Sequence, residues 1–299
     1  MALVLLSSAE ASAYQICVSS YVTLTDVNRA LYDGSTEDYW TSGGLFRELR
    51  GAVYTVRRIS ANGSVVSSGH LGDGTGSLAA GCTPTFTPPG GTSFLWLEVK
   101  SQGSVRGNTV KARDDDTLFK DLAEFTTTIS YTNVPSPANV SFTAGNAKLR
   151  DIWGAYAVSA FALYRSAGGL TGHDFTLDVY HQDGKYAPLT NHYRWPDVKL
   201  TNKGSNRKFV IVHELAHRLA DLANADWDWT VYDYLDAACP ASNEIGDDDE
   251  VENRNTHSLV SNEYQASAFN EGFAHFYAAR VWNSNAEDGC VFNHYKREF

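Results

Sequence analysis

The sequence has few cysteines and no long apolar run. No stretch of eighteen or more apolar residues occurs among its 299 residues, so we expect no membrane-spanning helix. Its four cysteines include no C-x-x-C pair and make a poor set of metal ligands. An even count instead fits two disulfides formed in an oxidising compartment, the alternative being four reduced, buried thiols. We predict Cys17–Cys82 and Cys239–Cys290, because each pair then stays within one predicted domain.

Basic residues are also scarce. There are 24 Lys and Arg against 35 Asp and Glu, which gives a formal net charge of −11. A protein this acidic repels phosphate backbones, so nucleic acid is not an expected partner. At 43% hydrophobic residues the chain can bury a large core, and its length favours two domains.

The N-terminus has a short apolar run followed by Ala11-Ser12-Ala13. This pattern is typical of the end of a secretory signal that is cleaved before Tyr14. We therefore interpret residues 1–13 as a signal-peptide remnant and predict a secreted, periplasmic or cell-surface protein. The alternative is that these residues are the frayed start of the first strand.

Residues 14–113 have the composition of an all-β domain. YQICVSSYVTL, GAVYTVRRIS and FLWLEVKS are rich in β-branched and aromatic residues, and glycine-rich turns separate them. The order of strands around the DGTG turn resembles the transthyretin-like and carboxypeptidase-regulatory sandwiches. That resemblance implies an antiparallel β-sandwich, in which no catalytic constellation stands out.

Residues 114–145 are predicted to be a linker, and residues 146–299 a second domain. Asp114, Asp115 and Asp116 form a charge run that indicates a solvated linker, with a calcium site as the less favoured alternative. The acidic segment 244–252 is likewise predicted to be a solvated loop, with calcium binding as the less favoured alternative. After the linker, a long apolar helix, the strand DFTLDVYH and a further helix together predict an α+β core.

The most specific feature is FVIVHELAHRLAD, residues 209–221, for which Ser205 is a candidate helix cap. Positions four residues apart lie on one face of a helix, so His213 and His217 can reach one zinc ion. Glu214 is rotated by about 100° and stands beside that ion, where a carboxylate can take a proton from water. The alternative is that the two histidines bind no metal and have their hydrogen bonds satisfied in the core or on a solvent-exposed face of the helix.

A third ligand is needed, because a catalytic zinc usually has three protein ligands. The Gly and third His of a metzincin do not follow His217. The later segment SNEYQASAFNEGFAHFYAARVW, together with HELAH, instead resembles the gluzincin zinc metallopeptidases. This resemblance implies that Glu271 is the third ligand, with His275 and Glu263 as rivals. His275 stands where the family has an acidic partner, which is a departure from its pattern.

The resemblance extends over about residues 146–282 and implies a zincin-like catalytic domain. Asp221, Asn270 and His275 are candidates to hydrogen-bond the ligands. A donor for the developing oxyanion is also needed. The sequence leaves four candidates for it, namely His257, Tyr277, His294 and Tyr295.

The sequence thus predicts a zinc metallopeptidase that cleaves a peptide or protein substrate. Its fold would be an α+β zincin-like domain preceded by an all-β sandwich, with one catalytic Zn²⁺. Two alternatives stay open. One is a secreted adhesion or binding protein with a structural or degenerate zinc site, and the other is a zinc hydrolase of non-peptide amides or esters.

Overall fold

The chain folds into a mixed α+β arrangement with two sheets, seen in a computed structural model. The structure describes residues 13–26, 40, 44–59, 61–72, 75, 78–115, 120–165, 170–180, 192–194, 197–201, 204–223 and 265–282. The strands within these ranges are β1 (Ile16–Thr23), β2 (Gly44–Glu48), β3 (Ala52–Arg58), β4 (Val65–His70), β5 (Phe94–Val105), β6 (Asn108–Asp114), β7 (Glu124–Ser130), β8 (Ala138–Phe142), β9 (Asp174–Val179), β10 (His192–Arg194) and β11 (Asp197–Leu200). The helices there are α1 (Ala147–Arg165), α2 (Lys208–Ala223) and α3 (Gln265–Trp282).

The strands divide into a small sheet and a large one. The small sheet has the order β2-β1-β8, and the large one β10-β11-β9-β6-β5-β3-β4, with β7 also paired to β5. Strand β9 pairs in parallel with β6 and with β11, while β10 is antiparallel to β11. Strand β9, DFTLDV in the sequence, is therefore an interior strand of the sheet.

The large sheet crosses the predicted domain boundary at residue 113. Strand β6 runs past it to Asp114 and pairs with β9, so strands from both predicted domains share one sheet. The segment predicted as a linker, residues 114–145, contains strands β7 and β8. The linker prediction rested on local charge and proline, whereas these strands form because distant partners, β5 and β1, are available to pair with them.

Alternating burial shows why these segments become strands. Along β5 and β1, buried residues alternate with half-buried or exposed ones. This alternation is expected for a strand with one face in a core. Helix α1, almost entirely buried from Ile152 to Leu163, packs against β1, β5, β6 and β9. The helix comes close because position 103 is glycine, where a Cβ would lie 2.3 Å from the Tyr156 hydroxyl.

Acidic side chains of the predicted linker are ion-paired in the fold. Asp114 is buried and pairs with Lys148, and Asp115 contacts Lys120 Nζ at 2.9 Å and Lys199 Nζ at 3.2 Å. Asp114 and Asp115 are therefore not the solvated charge run that was predicted, because Lys148 and Lys199 reach them from distant parts of the chain. Asp116 and residues 244–252 lie outside the described residues.

A buried carboxylate on β9 anchors this network. Asp178 accepts hydrogen bonds from Arg113 at 2.5 Å and from Lys120 at 2.8 Å, and also pairs with Lys199. Burial raises the pKa of Asp178, but these hydrogen bonds outweigh it and lower the pKa to about 2. The charged side chains therefore join β6, β9 and β11, the part of the sheet that leads to α2.

The cysteine prediction is confirmed where the structure describes it. Cys17 and Cys82 form a disulfide between β1 and the segment after β4. The predicted Cys239–Cys290 pair lies outside the described residues, as do residues 1–12 of the predicted signal remnant.

None of the described helices has the length and apolar character that crossing a membrane requires.

Candidate metal centre

Helices α2 and α3 pack against each other and carry the predicted ligands. Helix α2 buries Phe209, Ile211, Val212 and Leu215, so its apolar side faces the core. Helix α3 buries Ala274, Ala278 and Val281. The small alanines let two helices approach closely, and the polar side chains between them are brought together.

The two histidines of α2 face one point. His213 Nε2 and His217 Nε2 lie 3.2 Å apart, and the ring planes are nearly perpendicular at 89°. This is the one-above-the-other placement expected for positions four apart on a helix. Their side chains keep only 12% and 9% of their surface exposed.

Glu271 reaches both imidazoles from α3. Its carboxylate oxygens lie 3.2 Å from His213 Nε2 and 3.3 Å from His217 Nε2. Glu271 is itself buried, and no other set of three or more metal-type ligands gathers within the described residues. These three side chains could together hold a metal ion.

Proton counting favours a cation at the centre of this triangle. Each imidazole Nε2 carries at most one hydrogen, and an ionised carboxylate carries none. Two hydrogens cannot satisfy three mutual contacts between two Nε2 atoms and the carboxylate. A cation placed among the three groups is attracted by all of them, so the arrangement fits a metal better than a hydrogen-bonded cluster.

The spacing is compatible with a single metal ion. The two imidazole Nε2 atoms lie 3.2 Å apart, and each approaches a different oxygen of Glu271, Oε2 at 3.2 Å from His213 and Oε1 at 3.3 Å from His217. With one ligand atom taken from each residue, the three atoms lie within 4.8 Å of one another. Two imidazoles and one carboxylate also suit a transition metal better than calcium or magnesium, which prefer oxygen ligands.

Glu214, the predicted base, follows His213 directly on α2. It is buried, with 7% of its surface exposed. Asn270 belongs to α3 next to Glu271, and only its backbone is described. At Gly272, the residue after Glu271, a Cβ would meet no described atom within 4 Å, so space does not require a glycine there.

The remaining candidates take different places. His275 packs on His213, with ring centroids 4.5 Å apart. Asp221 forms an ion pair with Arg218, Oδ2 to Nη1 2.6 Å. The Tyr277 hydroxyl donates to the carbonyl of Ala162 on α1, 3.4 Å away. Four other candidates lie outside the described residues, namely His257, Glu263, His294 and Tyr295.

A residue far away in sequence caps α2, the helix that carries His213 and His217. Asp26 accepts hydrogen bonds from the backbone N–H of Lys208, 2.8 Å to Oδ1, and of Phe209, 2.7 Å to Oδ2. The predicted cap, Ser205, is buried before α2, and the cap is a carboxylate from the end of β1. Such a cap typically stabilises a helix by about 1 kcal/mol. No local signal could identify Asp26, which lies 182 positions away.

Phe209 was also missed, although its signal is local. It precedes His213 by four residues, so it lies on the same face of α2. Its ring is 6.3 Å from the His213 ring and 5.7 Å from the His275 ring, and both pairs are nearly parallel. Phe209 therefore forms the apolar wall on one side of the candidate metal centre.

No protein-family model matches this chain, and no curated protein or solved structure is significantly similar to it.

Proposed function

We propose that this protein is a zinc-dependent metallopeptidase of the gluzincin type. The observation that carries the proposal is the convergence of His213, His217 and Glu271 from two helices, with one ligand atom of each within 4.8 Å of the others. The resemblance of HELAH and NEGFAHF to gluzincin motifs supports the same conclusion. In this proposal α2 and α3 belong to a zincin-like catalytic domain.

Zinc is the metal that the ligand set favours. Neutral imidazole nitrogen and carboxylate oxygen are common zinc ligands, and three protein ligands leave the fourth position open in a catalytic site. When bound there, zinc would polarise the substrate carbonyl and lower the pKa of water from 15.7 to about 7.

Glu214 is the residue proposed to move protons. Its position after His213 turns its carboxylate away from the two imidazoles by about 100° around α2. There it can accept a proton from the attacking water at a carboxylate oxygen and then pass it to the leaving amine nitrogen. Because Glu214 is largely buried, its carboxylate is shielded from bulk water, which strengthens its electrostatic interaction with a bound cation.

The chain's other residues would orient and shield the site. Phe209 and His275 pack around His213 and restrict the tilt of its ring. The Cys17–Cys82 disulfide supports the proposal that the protein works outside the cytoplasm, since disulfides persist in oxidising compartments.

Metal removal tests the proposed function. The purified protein should cleave casein, lose that activity after treatment with a zinc chelator, and regain it when one equivalent of Zn²⁺ is returned. Adding Ca²⁺ or Mg²⁺ alone should restore nothing, because these ions bind imidazole poorly. Peptide products are measured by mass spectrometry before and after each step.

Two outcomes of the same experiment would point to the alternatives. Zinc bound at one equivalent, without cleavage of casein or of a peptide library, would favour a structural site in a binding protein. Hydrolysis of a chromogenic ester or non-peptide amide, with intact peptides, would favour a different zinc hydrolase.

A further inference from the structure

The segment that follows β1 clamps the start of α2. Thr25 donates its backbone N–H to the Asn206 carbonyl at 2.9 Å, and its hydroxyl lies 3.2 Å from Asn206 Oδ1. Asp26 then accepts the N–H groups of Lys208 and Phe209. Consecutive residues thus hold the turn before α2 and its first two N–H groups.

The first residue of α2 is tied to α3 as well. The Lys208 side chain is fully buried, its Nζ donates to the Trp40 carbonyl at 3.2 Å, and it lies 5.1 Å from the Trp282 ring centroid. The Trp282 indole N–H donates to the Lys208 carbonyl at 3.2 Å. The clamp therefore fixes α2 relative to the last residue of the helix that supplies Glu271.

Phe209 connects the clamp to the metal ligands. Its N–H is bound by Asp26, and its ring lies nearly parallel to those of His213 and His275. A shift in the first turn of α2 would move this ring and the imidazole packed against it. The link from Asp26 to His213 is thus two contacts long.

The placement of Asp26 is costly for the carboxylate itself. Burial raises the pKa of Asp26, and the hydrogen bonds from Phe209 and Lys208 and the Lys208 charge only partly oppose that effect. The fold thus places Asp26 where its charged form is disfavoured overall. This placement is consistent with a structural role for the carboxylate at the start of α2.

From these contacts we propose that Asp26 is a positioning residue of the metal centre. It sets the start of α2 and, through Phe209, the orientation of His213 toward the ion. This inference rests on the metal site of the proposed function and is independent of the reaction carried out there. It makes zinc affinity dependent on a residue that precedes the first ligand by nearly 190 positions.

Two variants test it, Asp26→Asn and Asp26→Ala. Asparagine keeps one acceptor oxygen and turns an N–H group toward the helix N–H groups, while alanine removes both acceptors. We expect Asp26→Asn to weaken zinc binding about tenfold and Asp26→Ala up to about a hundredfold, the range seen when groups behind metal ligands are lost. Affinity is measured by competition with a chromophoric chelator, and Co²⁺-loaded protein is expected to show shifted visible bands.

Asn146→Ala is the matched control. Asn146 Oδ1 accepts the N–H of Leu149 at 2.8 Å and caps α1, which carries none of the three ligands. This variant also removes a helix cap, so it should lower the melting temperature comparably while keeping the wild-type zinc affinity and cobalt spectrum. Circular dichroism verifies that each variant is folded. If Asp26→Ala does not fold, the zinc affinity and cobalt spectrum of Asp26→Asn provide the test.

The outcomes separate this inference from the proposed function. Wild-type zinc affinity and an unchanged cobalt spectrum in folded Asp26 variants would overturn the positioning role and leave the metal site standing. Equal loss of zinc in Asn146→Ala would also overturn it, because the effect would then be one of general stability. A wild-type protein that binds no zinc would overturn both proposals.

Discussion

Glu214→Gln is expected to abolish peptide cleavage while the protein keeps its zinc. Glutamine has nearly the shape of glutamate, so the packing of α2 should survive. It cannot accept the proton of the attacking water, and a positioned general base typically contributes about 10²–10⁴ in rate. We therefore expect the initial rate of casein cleavage to fall by at least about a hundredfold, with the zinc content unchanged by elemental analysis.

Glu124→Gln provides the control for this experiment. Glu124 is an exposed carboxylate on β7 that pairs with Lys100 at 2.7 Å. The substitution is therefore chemically the same as in Glu214→Gln, but it lies away from α2 and α3. Its activity should equal that of the wild type. Casein cleavage by Glu214→Gln at the parental rate would refute the base role, and a loss of zinc would instead make Glu214 a ligand.

Glu271→Ala is expected to release most of the bound zinc. Among the residues of α3 whose side chains the structure describes, only Glu271 belongs to the ligand group, and its oxygens lie 3.2 and 3.3 Å from the two imidazoles. Without it, two histidines remain for an ion that normally takes three protein ligands at such a site. After dialysis, the zinc content measured by elemental analysis should fall from about one zinc per chain to a small fraction of that.

His275→Ala and Glu263→Ala are the matched controls, because both residues are rivals for the same role. The His275 ring packs on His213, outside the three-residue ligand group, so His275→Ala should retain its zinc. Full retention of zinc by Glu271→Ala, with loss in one of the two rivals, would reassign the third ligand to that residue.

The sequence predicted those features of the fold and of the candidate site that depend on residues close to one another in the chain. Alternating burial in β1 and β5 follows the spacing of their β-branched and aromatic residues, and α1 follows from an apolar, alanine-rich run. The four-residue spacing of His213 and His217 fixed their relation on α2 before any tertiary contact is considered. The Cys17–Cys82 pairing followed from keeping both cysteines within one group of strands.

Long-range contacts account for what the sequence could not predict. The cap on α2 comes from Asp26, and the buried Asp114 and Asp115 pair with Lys148 and Lys199, respectively. Strands β7 and β8 form in a proline-containing segment because β5 and β1 offer edges to pair with. None of these partners is signalled by residues near it in sequence.

A crystal of the purified protein, measured on both sides of the zinc absorption edge, tests the central claim most directly. The account predicts one anomalous peak about 2.0–2.1 Å from His213 Nε2, His217 Nε2 and a Glu271 oxygen, with no fourth protein ligand. No peak between α2 and α3, or an ion enclosed by four side chains, would contradict it.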